Sequence, residues 1–124
     1  MEKRRLLIVD DEENVRNALQ RWFELAGYEV ELAEDGVVAV EKATETDYDA
    51  ITMDLQMPRM NGTDAIRHIK EARPEIPIII LTGYHAQPQL VVSSGAVKVL
   101  SKPVSLRELE TAVREAIENT NGIT

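Results

Sequence analysis

The chain has 124 residues, a length that suits one domain and leaves little room for a second. Its formal net charge is −8, from 22 acidic against 14 basic residues, which argues against the basic surface that nucleic-acid phosphates require. It has no cysteine, so disulfides and thiolate metal sites are excluded, and no apolar stretch approaches the ~18 residues that span a bilayer.

Met1-Glu2-Lys3-Arg4-Arg5 leads into the apolar run Leu6-Leu7-Ile8-Val9. Such a run is too short for a secretory signal, and cytoplasm is the expected location. The run ends at Asp10-Asp11 and reads as a strand buried on both faces. Val15, Leu19, Trp22, Phe23 and Ala26 then recur at helical spacing, with Gly27 as the stop. Tyr28-Glu29-Val30-Glu31-Leu32 alternates as an edge strand does, and a helix is predicted from about Val37 to Thr44. Ala50-Ile51-Thr52-Met53 is the third strand and ends at Asp54. After the loop Leu55 to Gly62 a helix carries Ala65, Ile66 and Ile69, and Pro74 and Pro77 bracket the turn out of it. Ile78-Ile79-Ile80-Leu81 is the most apolar run, predicted to be a central strand, and ends at Thr82-Gly83. Val97-Lys98-Val99-Leu100 is the last strand and ends at Ser101-Lys102-Pro103. Ser105-Leu106-Arg107-Glu108 is a capping box opening a final amphipathic helix. The polar tail, residues 120–124, is expected to fray.

Five β-α repeats imply a single doubly wound (βα)5 domain over 1–124, with a parallel sheet and helices on both faces. In such sheets the ligand site lies beyond the carboxyl ends of the strands. Those ends carry Asp10, Asp11, Asp54, Thr82 and Lys102. A strand order of 2-1-3-4-5 would bring the first acidic pair beside Asp54. A close carboxylate cluster repels itself unless a cation offsets it. All-oxygen ligands favour a hard ion, and magnesium takes about six oxygens at about 2.1 Å. Carboxylate, cation and lysine together suit phosphoryl transfer. Taken singly, each residue has an ordinary use: an N-cap aspartate, a strand-end threonine, a solvated lysine.

Asp10-Asp11 after an apolar strand, Asp54-Leu55-Gln56-Met57-Pro58-Arg59-Met60-Asn61-Gly62, Leu81-Thr82-Gly83 and Lys102-Pro103 together resemble the receiver domain of two-component response regulators, over essentially the whole chain. The resemblance implies a flavodoxin-like fold in which Asp54 is the phosphoacceptor. It implies that Asp10, Asp11 and Asp54, with the Gln56 backbone carbonyl, hold Mg2+, Mn2+ being a substitute. Thr82 would hydrogen-bond a phosphoryl oxygen, Lys102 would supply positive charge, and Lys102-Pro103 would be a cis peptide. Gly62 would allow the tight turn behind the acceptor. The implied partners are a sensor histidine kinase or histidine phosphotransfer protein and a downstream protein target, with no direct nucleic acid and no membrane insertion. The chain is not expected to be an enzyme beyond promoting its own phosphorylation and dephosphorylation.

Two features depart from the family pattern. Val99 stands where an aromatic switch residue is usual, and a valine has no ring to relocate. Gln56 and Tyr84 are therefore expected to set the lifetime of the aspartyl phosphate by controlling water access. The stretch between Thr82 and Lys102 is shorter than usual, and Val91-Val92-Ser93-Ser94 is poor helix material. The fourth helix is thus expected to be short or irregular. Trp22 divides between core and a docking face for the phosphodonor, Met57 and Met60 read first as loop packing and second as an adaptable contact rim, and neither His68 nor His85 is given a role. The alternatives are a magnesium-dependent phosphatase or phosphotransferase using Asp54, and a degenerate, phosphorylation-independent scaffold. No output domain is expected within this chain.

Overall fold

The computed structural model describes residues 3–55, 62–83 and 95–121. Nine elements follow in chain order: β1 (Arg5–Val9), α1 (Glu13–Leu25), β2 (Glu29–Ala33), α2 (Gly36–Glu45), β3 (Ala50–Asp54), α3 (Gly62–Ala72), β4 (Ile78–Thr82), β5 (Lys98–Ser101) and α4 (Leu106–Asn121). The strands form one parallel sheet of order β2-β1-β3-β4-β5. The flavodoxin-like order expected from the sequence is therefore the one observed. The centre of the sheet is β3, and the isoleucine-rich β4 is interior but one strand from the edge. The segment expected to hold a short fourth helix lies outside the described residues.

Two hydrophobic layers hold the sheet. On one face Leu7, Ile51, Met53, Ile78 and Ile80 pack under Ala39 and Ala43 of α2 and Ala65, Ile66 and Ile69 of α3. On the other, Leu6, Ile8, Ile79, Leu81 and Leu100 pack under Leu19 and Phe23 of α1 and Leu109, Val113 and Ile117 of α4. Alternate strand residues supply opposite layers, which is why the interior runs are apolar at nearly every position. The helix boundaries have local causes. Gly27 adopts φ +101° just past the end of α1, where a side chain would be strained. The Asp35 carboxylate accepts from the Val38 N–H at 3.0 Å to start α2, and the Ser105 hydroxyl accepts from the Glu108 N–H at 3.0 Å to start α4.

One expectation is corrected, and the place of Gly62 behind Asp54 gains a physical reason. The last helix runs on to Asn121, into the stretch expected to fray, and the Thr120 hydroxyl donates to the Ala116 carbonyl at 2.9 Å in that final turn. Gly62 is the first residue of α3, outside the left-handed region, so a turn needing positive φ is not what selects it. Its requirement is space: a Cβ there would lie 2.7 Å from the Asp54 carbonyl oxygen and 2.8 Å from Leu55 Cα.

Among the described residues two buried polar atoms have no partner, the Trp22 indole N–H and the Thr52 hydroxyl, and the second lies in the core. The Thr52 hydroxyl is buried in β3 and has no partner among the described residues. Replacing it by the near-isosteric valine removes an unpaired buried donor, whose desolvation costs about 1 kcal/mol or more. Thr52→Val is expected to raise the urea midpoint without changing the slope of the transition. A lowered midpoint would mean that the hydroxyl is satisfied in solution.

Candidate functional site

The parallel register sets the carboxyl ends of the inner strands side by side. Val9 is level with Met53, so the next residues, Asp10 and Asp54, emerge together, and Asp54 is level with Leu81 of β4. Thr82 is level with Ser101, so Lys102 leaves β5 just beyond it. The Lys102 N–H donates to the Thr82 carbonyl at 2.7 Å, which ties that exit to β4. The Lys102-Pro103 peptide is cis.

At this rim the Lys102 ammonium lies 3.4 Å from Oδ2 of Asp10 and 3.4 Å from Oδ2 of Asp54. Both carboxylates are almost fully buried, at 1% and 3% residue exposure, as is Thr82 at 1%. Buried carboxylates without a cation would be costly, and the shared ammonium offsets both. Burial acts to lower the pKa of Lys102, but attraction to Asp10 and then Asp54, with their hydrogen bonds, outweighs it and holds the ammonium above its ordinary value.

Asp11 is exposed beside this pair, and its carboxylate, that of Asp10 and that of Glu12 bring one oxygen each within 4.8 Å of one another. Glu12 was not singled out from the sequence. It is the N-cap residue of α1, yet its side chain makes no capping bond, so its carboxylate stays with the cluster. Four consecutive acidic residues after a strand, Asp10 to Glu13, are the signal available in the sequence. A donor set made only of carboxylate oxygens, with Asp11 and Glu12 open to solvent, suits a hard divalent cation such as magnesium.

Of the other residues singled out, Val99 is half-buried on β5, level with Ile80, and packs into the layer under α2 and α3. Phe23 is fully buried, His68 is exposed, and Trp22 is half-buried against the layer under α1 and α4. Gln56, Met57, Met60, Tyr84 and His85 lie outside the described residues. An apolar groove of about 530 Å³ borders the rim, lined by Val15, Ala18 and Leu19 of α1 and by Pro103, Val104 and Leu106 after β5. Lys102 and Glu12 also reach it, so it opens onto the acidic site. Among the described residues, no helix is long and apolar enough to cross a membrane.

Comparison with known proteins points one way. Residues 6–114 match the response regulator receiver domain family. The chain is 35% identical over 119 residues to response regulator MprA of Mycobacterium sp. (strain KMS), covering 94% of this chain and 52% of that protein. It thus spans about half the length of the curated relatives it matches. A CheY-like response regulator receiver domain protein from Methanospirillum hungatei JF-1 superposes with a TM-score of 0.93 at 26% identity, covering 99% of this chain and 100% of that one. Response regulator protein TrrA from Thermotoga maritima, solved in complex with Mg(2+)-BeF, superposes with a TM-score of 0.83 at 31% identity, covering 91% and 98% respectively.

Proposed function

The chain belongs to the response regulator receiver domain family, and from that premise we propose that Asp54 accepts a phosphoryl group from a phosphohistidine on a partner protein. The observation that carries this reading is the Lys102 ammonium standing 3.4 Å from both the Asp10 and Asp54 carboxylates at the buried rim of the sheet.

In the transfer an Asp54 carboxylate oxygen attacks phosphorus. The P–N bond of the phosphohistidine breaks, its electron pair returns to the imidazole, and an O–P bond to Asp54 forms. Asp10, Asp11 and Asp54, with the Gln56 carbonyl, would hold Mg2+ (or Mn2+ in its place), whose charge would offset that of the incoming group. Lys102 is already positioned between two carboxylates and supplies a donor to a phosphoryl oxygen once Asp54 carries one. The Thr82 hydroxyl supplies a second donor. Gln56 and Tyr84 govern how readily water reaches the acyl phosphate. Asp54 is consumed and regenerated only through its own phosphorylation cycle, so residues 1–124 act as a signalling receiver and do not turn over a separate substrate.

The phosphodonor is a sensor histidine kinase or histidine phosphotransfer protein in the cytoplasm, and the phosphorylated form acts on a protein target. The apolar groove between α1 and the turn after β5 supports docking of a helical partner, because it presents apolar surface directly beside the acidic rim. Trp22 flanks this region in a smaller hollow with Leu25 and Leu106.

Incubation with acetyl phosphate and Mg2+ should give a mass gain of about 80 Da, the mass of one phosphoryl group. EDTA should abolish that gain, and phosphate monoesters should show no multiple turnover. No adduct with magnesium present, or sustained monoester hydrolysis, would overturn the reading.

A further inference from the structure

Asp10 has four polar atoms, and each is held by a different part of the chain. Its N–H donates to the Ala33 carbonyl of β2 at 3.2 Å, Oδ1 accepts from the Glu12 N–H at 2.9 Å, and Oδ2 faces Lys102 at 3.4 Å. The fourth, the carbonyl oxygen, accepts from Arg16 Nη1 at 2.8 Å. Arg16 stands on the first turn of α1, one helical turn beyond Glu12, whose carbonyl accepts its backbone N–H at 3.0 Å. Its guanidinium therefore reaches back over the β1–α1 turn and closes it from the helix side. Asp10 is almost wholly buried, and a carbonyl there without a donor would leave the turn free to rotate toward water. The rotation would move the carboxylates of Asp10 and Asp11 together.

We propose that Arg16 is a positioning residue for the cation site, fixing the Asp10–Glu12 turn through its hydrogen bond to the Asp10 carbonyl. The proposal rests on the metal-binding reading given above. Charge and positioning make opposite forecasts here, which separates them. A cation beside three carboxylates repels Mg2+, so loss of Arg16 through charge alone would tighten metal binding. Loss of positioning would weaken it.

The test is Mg2+ titration by calorimetry on the wild type, Arg16→Met and Arg16→Lys, with amide exchange at Asp11 and Glu12 in the metal-free proteins. Arg16→Met should weaken Mg2+ binding by about tenfold, the usual effect of removing a group that orients a ligand, and speed exchange at Glu12. Arg16→Lys, which keeps charge and a donor, should recover most of the affinity. Should the methionine variant not fold, Arg16→Gln, with its shorter side chain, takes its place in the same titration. Unchanged or tighter Mg2+ binding in the variant, including a case where only thermal stability falls, overturns the proposal. Absence of Mg2+ binding by the wild type would instead overturn the proposed function.

Discussion

Asp54→Asn protein is expected to fold normally and to take up no phosphoryl group at all. The amide has nearly the same shape as the carboxylate, so the buried position at the end of β3, 3% exposed, remains filled and the sheet register is untouched. The neutral amide oxygen is a poor nucleophile toward phosphorus. The substitution also leaves the Lys102 ammonium, now 3.4 Å from two carboxylates, with Asp10 as its anionic neighbour. One of the two carboxylates that raise its pKa is then lost, so the pKa of Lys102 should fall toward its ordinary value. Intact mass after acetyl phosphate treatment, with circular dichroism as the folding control, checks the first part. Carbon-detected NMR titration of the lysine side chains checks the second. An adduct persisting in Asp54→Asn would move the acceptor to another residue.

Gly62→Ala should be the most destabilising single-methyl change in the described chain. The added carbon would lie 2.7 Å from the Asp54 carbonyl oxygen, 2.8 Å from Leu55 Cα and 2.9 Å from Leu55 Cδ2. Two of these are backbone atoms, which cannot swing aside as a flexible side chain does. The same place is stitched by the Gly62 N–H donating to the Leu55 carbonyl at 3.1 Å. Relief requires α3 to lift from the end of β3, disturbing the layer where Ala65, Ile66 and Ile69 are fully buried. Overpacking of this kind costs about 3 kcal/mol. In a domain of this size that corresponds to about 10 °C in Tm. Since the clash is with Asp54, the proposed acceptor and metal ligand, metal affinity should fall as well. A Tm within about 2 °C of wild type, a shift well under 1 kcal/mol, would show that α3 yields at this contact without cost.

The sheet was legible because its signals are strong and local. Short apolar runs ending in Asp10, Asp54, Thr82 and Lys102 mark parallel strands whose ends carry chemistry, and the observed order sets them together. What escaped depended on three-dimensional detail that no periodicity encodes. Glu12 reads as an ordinary helix start, and only its failure to cap α1 leaves it with the acidic cluster. Arg16 reads as a solvated helix residue, because its partner is a carbonyl whose direction is set by the turn and not by residue type. The sequence places a glycine behind the acceptor, but that its lack of a Cβ rather than its φ is what matters there depends on the close approach of Asp54 and Leu55. The end of α4 was misjudged because polar composition says little about whether a last helical turn closes on itself. Gln56, Tyr84 and the fourth helix are readings of residues outside those described.

Lys102 and Asp10 meet across 92 positions of sequence. Contacts of such high order are entropically the dearest to close and tend to come late in folding. The acidic pair is translated about 90 residues before the lysine, so a nascent or partly folded chain has carboxylates but not yet this partner for them. Competence for phosphoryl transfer is thereby a readout of completed folding. Any ligand that binds only the finished rim will, by mass action, favour the native state and slow its loss.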